Sequence, residues 1–507
     1  MRVLNSLKNT SAGILKIIIV MPLGFIARAI FIQVLGAEYQ GVNGLFTSII
    51  SILAVAELGI ATAITFNMYQ YIAINDKETI KSLIQFYKKC YQLIGGIVFA
   101  LGLSFLFFIY TIVTEANNIS ESLYVIFFLF LLDTVFSYLF SYKRSILYAH
   151  QKNYIVSLMD LIYNIALNIA QVAILLITRD FLLFTLIRVL FRLLENGIIN
   201  LIANKSYPYI MEKDVRKLDT EIKKNFARQI KGLLFHRVGR VIVLGIDGML
   251  ITRVLGLLVM GLYSNYLLVV GAVHSLFSQM ARGVVASIGD LLIEQDHNKS
   301  FDIYKKLSLI IFWLYAFAAI SIYMIMDSFI TLWLGNEYVL PRYILLFMSL
   351  KFYIQGMRKP FHMFKEAAGV FYEDRYVPII ESFINFALSL LLINVLGLVG
   401  IILGTIISTT IVFVYTYPKF IYEPIFKRGK KRYFKEQFYY LVLLLIAFLG
   451  TVGIVRILSF SSIWINFIIH ILICLLIPNL IFFVKFRRNQ EFKYIKSIFI
   501  SLVLKRK

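Results

Sequence analysis

Long apolar runs, separated by short polar stretches, fill this sequence from about residue 12 to residue 484. A helix needs about 20 apolar residues to cross the hydrocarbon core of a bilayer, and the runs have this length. They predict about fourteen transmembrane helices. We place these helices at 12–35, 42–66, 91–113, 122–142, 154–178, 181–203, 238–253, 258–293, 307–331, 343–363, 377–396, 398–418, 437–458 and 462–484. The pattern therefore predicts an all-α polytopic membrane protein.

The lengths of the polar connections group the predicted helices. The longest connection, of about 34 residues, follows the sixth helix. Since long connections commonly join the halves of a repeat, we predict two six-helix lobes and two appended helices. The predicted segments are an N-terminal lobe at 1–203, a cytoplasmic linker at 204–237, a C-terminal lobe at 238–418, and the last two helices with a basic cytoplasmic tail at 419–507.

A short motif recurs at turns between the predicted helices. Val34–Gly36 is followed after four residues by Gly41, and Val254–Gly256 is followed after four residues by Gly261. A third copy, Val395–Gly397, precedes the twelfth helix. Glycine suits such turns because it tolerates positive φ. The recurrence favours parallel repeats six helices apart, although the same tripeptide is also common at helix ends.

The net charge of +23 is distributed unevenly. About 40 of the 51 Lys and Arg residues lie in the termini and in the loops on the side of the termini. The connections on the opposite side hold Arg179, Arg253, Arg342 and Arg456. The positive-inside rule then predicts that both termini are cytoplasmic. Basic loops next to anionic headgroups account for the charge, so membrane lipids rather than nucleic acid are the expected partners.

Several basic residues fall inside the predicted helices, where a charge costs about 2.5–3.5 kcal/mol. These are Lys16, Arg28, Arg188, Arg192, Arg240, Arg282 and Lys351. Lys16, Arg240 and Arg282 lie near helix ends and can extend to the interface. The other four lie deeper, and we expect them to face a cavity inside the bundle.

Polar residues line single faces of three predicted helices. The faces are Asp160, Asn164, Asn168 and Gln171 in helix five, Arg188, Arg192 and Glu195 in helix six, and Lys351, Gln355, Arg358 and His362 in helix ten. Spacings of three and four residues place each set on one side of its helix. Such faces either hydrogen-bond neighbouring helices together or line a polar cavity. With three faces drawn from both halves, we predict a polar central cavity. The predicted substrate-binding residues are Arg28, Arg188, Arg192, Lys351, Gln355, Arg358, Asn164 and Asn168.

Acidic residues also occur inside the predicted helices. They are Glu57, Asp133, Asp160, Glu195, Asp247 and Glu381. They either neutralise the arginines in static pairs or take part in transport, and Glu195 is expected to pair with Arg192 or Arg188. Asp133 and Asp247 lie mid-helix with no cation one turn away, so we predict them, together with Glu57, as groups that bind or release a coupling ion.

No motif for catalysis or metal binding stands out. The sequence has no G-x-x-x-x-G-K-[S/T] phosphate loop and no H-E-x-x-H or Cys/His cluster. Neither Cys90 nor Cys474 lies in an outer loop, so no disulfide framework is implied. We therefore predict a protein that is not an enzyme and needs no metal or cofactor.

Several short motifs resemble those of Wzx-type polysaccharide flippases, which belong with lipid II flippases and MATE-type exporters in the MOP superfamily. The resemblance rests on Gly24–Ile30, Leu35–Tyr39, Gly41, Glu57–Ala63, Tyr207-Pro208, Leu396-Gly397, Gly400 and Gly404. It implies two six-helix lobes and alternating access. At the places of Ala27 and Arg28 the lipid II flippases have an Arg-Asp pair, so this chain differs there by its single charge.

The resemblance implies a function in the bacterial cell membrane. The substrate would be an undecaprenyl-diphosphate-linked oligosaccharide, flipped from the cytoplasmic to the outer leaflet for capsule or surface polysaccharide assembly, with polymerase and assembly proteins as further partners. The chemistry of the residues agrees, since the planar donors of arginine match a diphosphate. Coupling to H⁺, to Na⁺ or to the membrane potential is left open.

Two other functions compete with flipping. A MATE-like small-molecule or drug antiporter that handles cations should have an acidic or aromatic pocket and few deep arginines. A membrane-embedded glycan polymerase should have a sizeable outer loop, and the predicted outer loops do not exceed about a dozen residues.

Overall fold

The computed structural model describes residues 2–497 apart from 55–59, 114–117, 140, 213, 214, 217, 283–287, 290, 293–295, 371, 372, 459 and 495. Nearly all described residues are helical, and none of them forms a β-strand. The fold is therefore the predicted all-α class.

The α-helices follow the apolar runs closely. They are α1 (Arg2–Leu35), α2 (Ala37–Leu53), α3 (Ile60–Ala73), α4 (Lys77–Leu106), α5 (Ile109–Ile112), α6 (Leu123–Leu139), α7 (Ser141–Ala149), α8 (Asn153–Thr178), α9 (Phe181–Ser206), α10 (Thr220–Arg282), α11 (His297–Trp333), α12 (Arg342–Met357), α13 (Lys359–Ala368), α14 (Val377–Leu396), α15 (Leu398–Tyr417), α16 (Glu423–Phe426), α17 (Lys430–Ile457) and α18 (Ile463–Phe486).

Within the described residues, nine helices are long and apolar enough to cross a membrane, and the pair α6 and α7, bent by 43°, makes a tenth span if counted as one. The protein is thus a multi-pass membrane protein. Each of the fourteen predicted segments overlaps a helix. Four predicted helices account for the lower count. Helices α2 and α12 have only 17 and 16 residues, and α9 carries Arg188, Arg192 and Glu195 in its apolar stretch. The predicted helices at 238–253 and 258–293 both lie in α10 and count as one span.

Helix ten of the prediction, 343–363, is not continuous. It consists of α12 and α13, which are separated at Arg358. Pro360 lies in the first turn of α13, where it lacks the amide proton that an uninterrupted helix needs and disfavours helical geometry just before it. The polar face predicted over 351–362 is therefore divided between two helices.

The recurring glycine turns have nearly the same backbone geometry. Gly36 has φ 92° and ψ 175°, and Gly256, which interrupts α10, has φ 89° and ψ 170°. Gly397 also has positive φ, at 57°. Residues with a side chain rarely adopt these values, so the predicted role of glycine at the turns is confirmed.

The first two of these turns pack against each other in a reciprocal way. A methyl group added to Gly41 would overlap the carbonyl oxygen of Leu257, and one added to Gly261 would overlap the carbonyl oxygen of Ala37. Gly36 and Gly256 stand at the same place in the two turns, so each turn offers equivalent atoms to the other. This matching contact supports the internal repeat that the motif suggests.

The chain divides into two compact units, Met1–Ser264 and Asn265–Lys507. The first holds α1 to α9 and the part of α10 up to Ser264. The second holds the end of α10 and α11 to α18, and it includes an aromatic core. That core contains Tyr304, Phe361, Phe364, Tyr417, Tyr422, Phe426 and Tyr433. The segments predicted at 1–203, 204–237, 238–418 and 419–507 stay predictions.

Candidate functional site

In the first unit, a tight turn places the charged face of α9. Helix α8 ends at Thr178, Arg179 adopts left-handed geometry, and α9 begins at Phe181. The Asp180 side chain caps α9 by accepting a hydrogen bond from the Leu183 amide at 2.9 Å. The short connection makes α8 and α9 antiparallel neighbours, and α9 also packs against α6. Its polar face therefore meets two other helices.

The centre of this face is a carboxylate shared by two arginines. Asp133 on α6 accepts a hydrogen bond from Arg188 Nε at 2.8 Å and one from Arg192 Nε at 3.0 Å, each on a different oxygen. Its side chain is only 4% exposed. The prediction that Asp133 has no cation nearby considered its own helix, whereas its partners come from α9. Asp133 fixes the distance and orientation of two guanidinium groups.

The contacts continue as an alternating chain of charges. Arg192 Nη1 donates to Glu195 at 2.6 Å, which confirms that predicted pair, and Arg144 Nη2 lies 2.8 Å from the other Glu195 oxygen. Arg144 also contacts Asp160 at 3.4 Å, and Lys16 Nζ lies 2.8 Å from Asp160. We call this set the arginine network. It consists of Lys16, Asp133, Arg144, Asp160, Arg188, Arg192 and Glu195, and its four cations and three carboxylates give a formal charge of +1.

Aromatic rings support the two central arginines. The Arg188 guanidinium lies 4.9 Å from the centre of the Phe130 ring, and that of Arg192 lies 4.6 Å from the centre of the Tyr163 ring. A guanidinium over an aromatic face gains cation–π attraction and loses freedom to rotate. Both groups are therefore held by a carboxylate and by a ring.

The two central arginines have hydrogen-bond donors that are not used within the described residues. Within the described residues, the terminal nitrogens of Arg188 and the Nη2 atom of Arg192 donate no hydrogen bond. The Arg188 and Arg192 side chains are 30% and 21% exposed, whereas the Glu195 side chain is 3% exposed. The carboxylates of Asp133 and Glu195 are thus buried, whereas the two arginine side chains are partly exposed. Such an arrangement suits an anion with several acceptor oxygens, for example a phosphate.

The two predicted asparagines of α8 use their amide groups locally. The Asn164 side chain donates to the Asp160 carbonyl at 2.6 Å, and that of Asn168 donates to the Asn164 carbonyl at 2.7 Å. Gln171, on the same face, donates to the Phe184 carbonyl of α9 at 3.1 Å. Part of this face therefore stabilises helices, as the alternative interpretation of the polar faces expected.

A second charged cluster lies in the second unit. Arg358 forms a bidentate pair with Glu381, at 2.6 and 3.0 Å, and its Nε donates to the Tyr417 hydroxyl at 2.7 Å. His362 Nε2 lies 3.0 Å from the same hydroxyl, and Thr409 donates to Glu381 at 3.1 Å. We call these five residues the Arg358 cluster. Its arginine and its carboxylate are each 15% exposed and match each other in charge.

The remaining predicted residues that the structure describes lie on three different helices. Arg28 on α1, and Lys351 and Gln355 on α12, are partly buried, and Asp247 on α10 is buried. Glu57 lies outside the described residues, as do the side chains of Arg240 and Arg282. Arg188 and Arg192 are brought together, but the convergence of Arg28 and Lys351 with them stays a prediction.

Sequence reasoning missed the other half of the arginine network. Lys16 was expected to extend to the membrane interface, and Arg144 was counted with the loop cations. The structure instead pairs both with Asp160 of α8. The usable signal was Asp160 itself, since a carboxylate inside a predicted helix needs a cation and Asp160 has no basic residue one turn away in its own helix.

Comparison with solved structures identifies the fold. An inward-facing multidrug resistance MATE family transporter of the MOP superfamily has 15% identity and a TM-score of 0.62, covering 78% of this chain and 93% of that chain. The lipid II flippase MurJ in an inward closed conformation has 14% identity and a TM-score of 0.66, covering 96% of this chain and 99% of that one.

A third solved structure has a divergent binding pocket. A MOP superfamily transporter from Pyrococcus furiosus, described by the reverse polarity of its pocket, has 13% identity and a TM-score of 0.54, covering 80% of this chain and 94% of that one. No protein-family model matches the chain, and no curated protein matches it either. At these identities the likeness shows that the chain has the fold of the MOP transporters.

Proposed function

We propose that the chain is a secondary transporter that flips an undecaprenyl-diphosphate-linked oligosaccharide from the cytoplasmic to the outer leaflet by alternating access. The observation that carries the proposal is the pair Arg188 and Arg192, which Asp133 holds together and which are partly exposed and have unused donors. A diphosphate presents several oxygens and negative charge, which these donors suit. The short motifs shared with Wzx-type flippases name the substrate more closely than the geometry does.

The extent of the structural matches also favours a flippase. The match to the lipid II flippase leaves only about 20 of the 507 residues uncovered, so it includes most of the 89 residues at 419–507. The match to the MATE transporter leaves about 112 residues uncovered. Most of the region that holds α17 and α18 is thus included in the match to the flippase.

A drug antiporter is the second candidate, because MATE transporters have the same fold. An exporter of organic cations needs a carboxylate open to its substrate. Asp133 and Glu195 are almost fully buried, and both contact arginines. The arginine network is therefore arranged for an anion. The coupling roles predicted for Asp133, Asp247 and Glu57 belong to either candidate.

Reconstituted transport tests the proposal. The purified chain is placed in liposomes with a defined undecaprenyl-diphosphate oligosaccharide, and movement between leaflets is measured with and without a membrane potential. Flipping should depend on the protein and on Arg188 and Arg192, and should be unaffected in the control Lys205→Ala, an exposed residue of the same helix. Export of a cationic drug with no movement of the lipid would instead establish the antiporter.

The predicted orientation is tested separately. The uneven distribution of Lys and Arg places both termini and the connection at 204–237 in the cytoplasm. Single cysteines introduced into this connection should react with a membrane-impermeant maleimide only after the cells are opened. Labelling in intact cells would overturn the orientation.

A further inference from the structure

A cavity of about 570 Å³ lies in the second unit, at one end of three spanning helices. Its lining comes from the first turns of α11, from the first turns of α17 and from the residues at and just after the end of α18. Helices α11 and α17 both begin here and α18 ends here, so the cavity lies where these helices leave the hydrocarbon core. Its volume is within the range of about 300–1,000 Å³ that ligand pockets occupy.

The inner wall of this cavity is apolar and aromatic. Tyr440 stacks on Phe312 with ring centres 4.6 Å apart, and Phe312 lies 6.1 Å from Phe486. Tyr439 also packs against Phe486, at 6.3 Å. Aromatic side chains with a polar tip favour the boundary between headgroups and acyl chains. The wall is therefore suited to the glycerol and upper acyl region of a lipid.

The rim of the cavity is charged. It carries the basic residues Lys305, Lys431, Arg432 and Lys435 and the acidic residues Glu436 and Glu491. Both acids have basic partners on the rim itself, since Glu491 pairs with Lys305 at 2.8 Å and Glu436 pairs with Arg432 at 3.2 Å. Although burial would raise the pKa of the Glu491 carboxyl, the hydrogen bond from Lys305 holds that pKa below its usual value.

Two lysines remain without an acidic partner. Within the described residues, Lys431 and Lys435 form no ion pair, and both are exposed. They stand four residues apart on α17 and so lie on one face, with Tyr439 continuing that face one turn further. The cavity thus offers a positive charge of two at its rim and an aromatic surface below it.

We infer that this cavity binds a phospholipid with a net negative headgroup, taken from the leaflet on the side of the termini. The headgroup phosphate meets Lys431 and Lys435, and the upper acyl chains lie against Tyr439, Tyr440 and Phe486. A soluble anion would gain only from the lysines and a neutral lipid only from the aromatic wall, whereas an anionic phospholipid matches both. The bound lipid contacts α11, α17 and α18 together, so it stabilises the attachment of the last two helices.

The test measures lipid binding to the full chain in detergent and needs no transport, so its outcome is independent of the proposed function. Phosphatidylglycerol is titrated into the protein, and two quantities are followed: the thermal midpoint and the number of lipids retained in native mass spectrometry. Phosphatidylcholine and inorganic phosphate are the comparison probes. The Lys431→Ala/Lys435→Ala variant is compared with Lys88→Ala/Lys89→Ala, which removes two exposed lysines elsewhere on the same predicted side.

Phosphatidylglycerol should raise the thermal midpoint of the wild type and of the Lys88/Lys89 variant, and phosphatidylcholine should not. In the Lys431/Lys435 variant, the apparent affinity for phosphatidylglycerol should fall by about tenfold or more, because two lysine contacts to an anionic headgroup are lost. Equal responses of both double variants would show diffuse charge attraction and overturn the site. An equal response to inorganic phosphate would show a soluble-anion site and overturn the lipid assignment.

Discussion

The arginine network of the first unit and the Arg358 cluster of the second both pair arginines with carboxylates, and they differ in the hydrogen-bond donors that they leave unused. In both, an arginine near a helix break faces a carboxylate near the start of the next long helix, Arg144 with Asp160 and Arg358 with Glu381. In the Arg358 cluster, one arginine and one carboxylate balance each other in charge and form a bidentate pair. The arginine network has an excess cation, more exposed arginines and unused donors.

The comparison teaches that the depth of an arginine in a membrane helix does not reveal its role. Arg358 directs all three nitrogens of its guanidinium group at Glu381 and Tyr417. Arg188 directs only one nitrogen at a protein partner among the described residues. We therefore propose that Arg358 holds α12, α14 and α15 together and that Arg188 and Arg192 bind substrate.

The largest effect is expected for stability. Arg358→Ala leaves Glu381 without its cation, and removing one partner of a buried pair typically costs about 3–5 kcal/mol. The thermal midpoint of the purified protein should fall markedly, while substrate affinity of the folded fraction should change little. Lys205→Ala, at an exposed site, should leave the midpoint unchanged. A loss of affinity at unchanged stability would move Arg358 into the binding site.

The next largest effect concerns binding. Arg192→Ala removes a charge-assisted contact of about 1.5–3 kcal/mol, so affinity for the diphosphate-linked lipid should fall about tenfold or more. Arg192→Lys should recover little of it, because an ammonium cannot bridge Asp133, Glu195 and a ligand. Equilibrium binding in detergent measures this. Normal affinity in the alanine variant would make the arginine network a purely structural device like the Arg358 cluster.

A smaller effect on binding is expected for Asp133→Asn, which tests the predicted coupling role. Asn at this position retains an oxygen for one arginine, so substrate affinity should stay within a few-fold of the wild type. Transport should lose its dependence on the coupling ion, which is measured by varying pH and Na⁺ across the liposome membrane. An unchanged rate with unchanged ion dependence would leave Asp133 only the task of positioning the arginines.

The smallest effect is expected for Asn164→Ala and Asn168→Ala. Each amide group already donates one N–H to a carbonyl of its own helix, so one N–H and the side-chain oxygen are left for a sugar hydroxyl. Each change should raise the free-energy barrier to flipping by less than about 1 kcal/mol, the net value of one neutral hydrogen bond. A tenfold loss in either variant would mean that the amide turns toward the substrate during transport.

The apolar pattern predicted the fold well because membrane helices depend on local composition. The turns at Gly36, Gly256 and Gly397 were predictable for the same reason, since positive φ is a local demand. Helix breaks were harder to predict. Pro360 interrupts the tenth predicted helix, but hydropathy alone does not reveal this break. The pattern gave no sign of the short lengths of α2 and α12.

The site was predictable only in part, because charge pairing is a property of packed helices rather than of one helix. The spacing of Arg188, Arg192 and Glu195 predicted a common face correctly. The acid that they contact depends on α6 lying beside α9. The sequence of neither helix specifies this neighbour. The same reason explains why Asp133 looked unpartnered and why Lys16 looked like an interface residue.

The central claim is that the arginines of the first unit, and not Arg358, hold the diphosphate. The most direct measurement is equilibrium binding of an undecaprenyl-diphosphate oligosaccharide to the wild type, Arg188→Ala/Arg192→Ala and Arg358→Ala, each checked for folding by its thermal midpoint. The account predicts that the folded fraction of the double variant binds at least tenfold more weakly, whereas folded Arg358→Ala binds normally. Normal binding by the double variant, or a selective loss in Arg358→Ala, would contradict it.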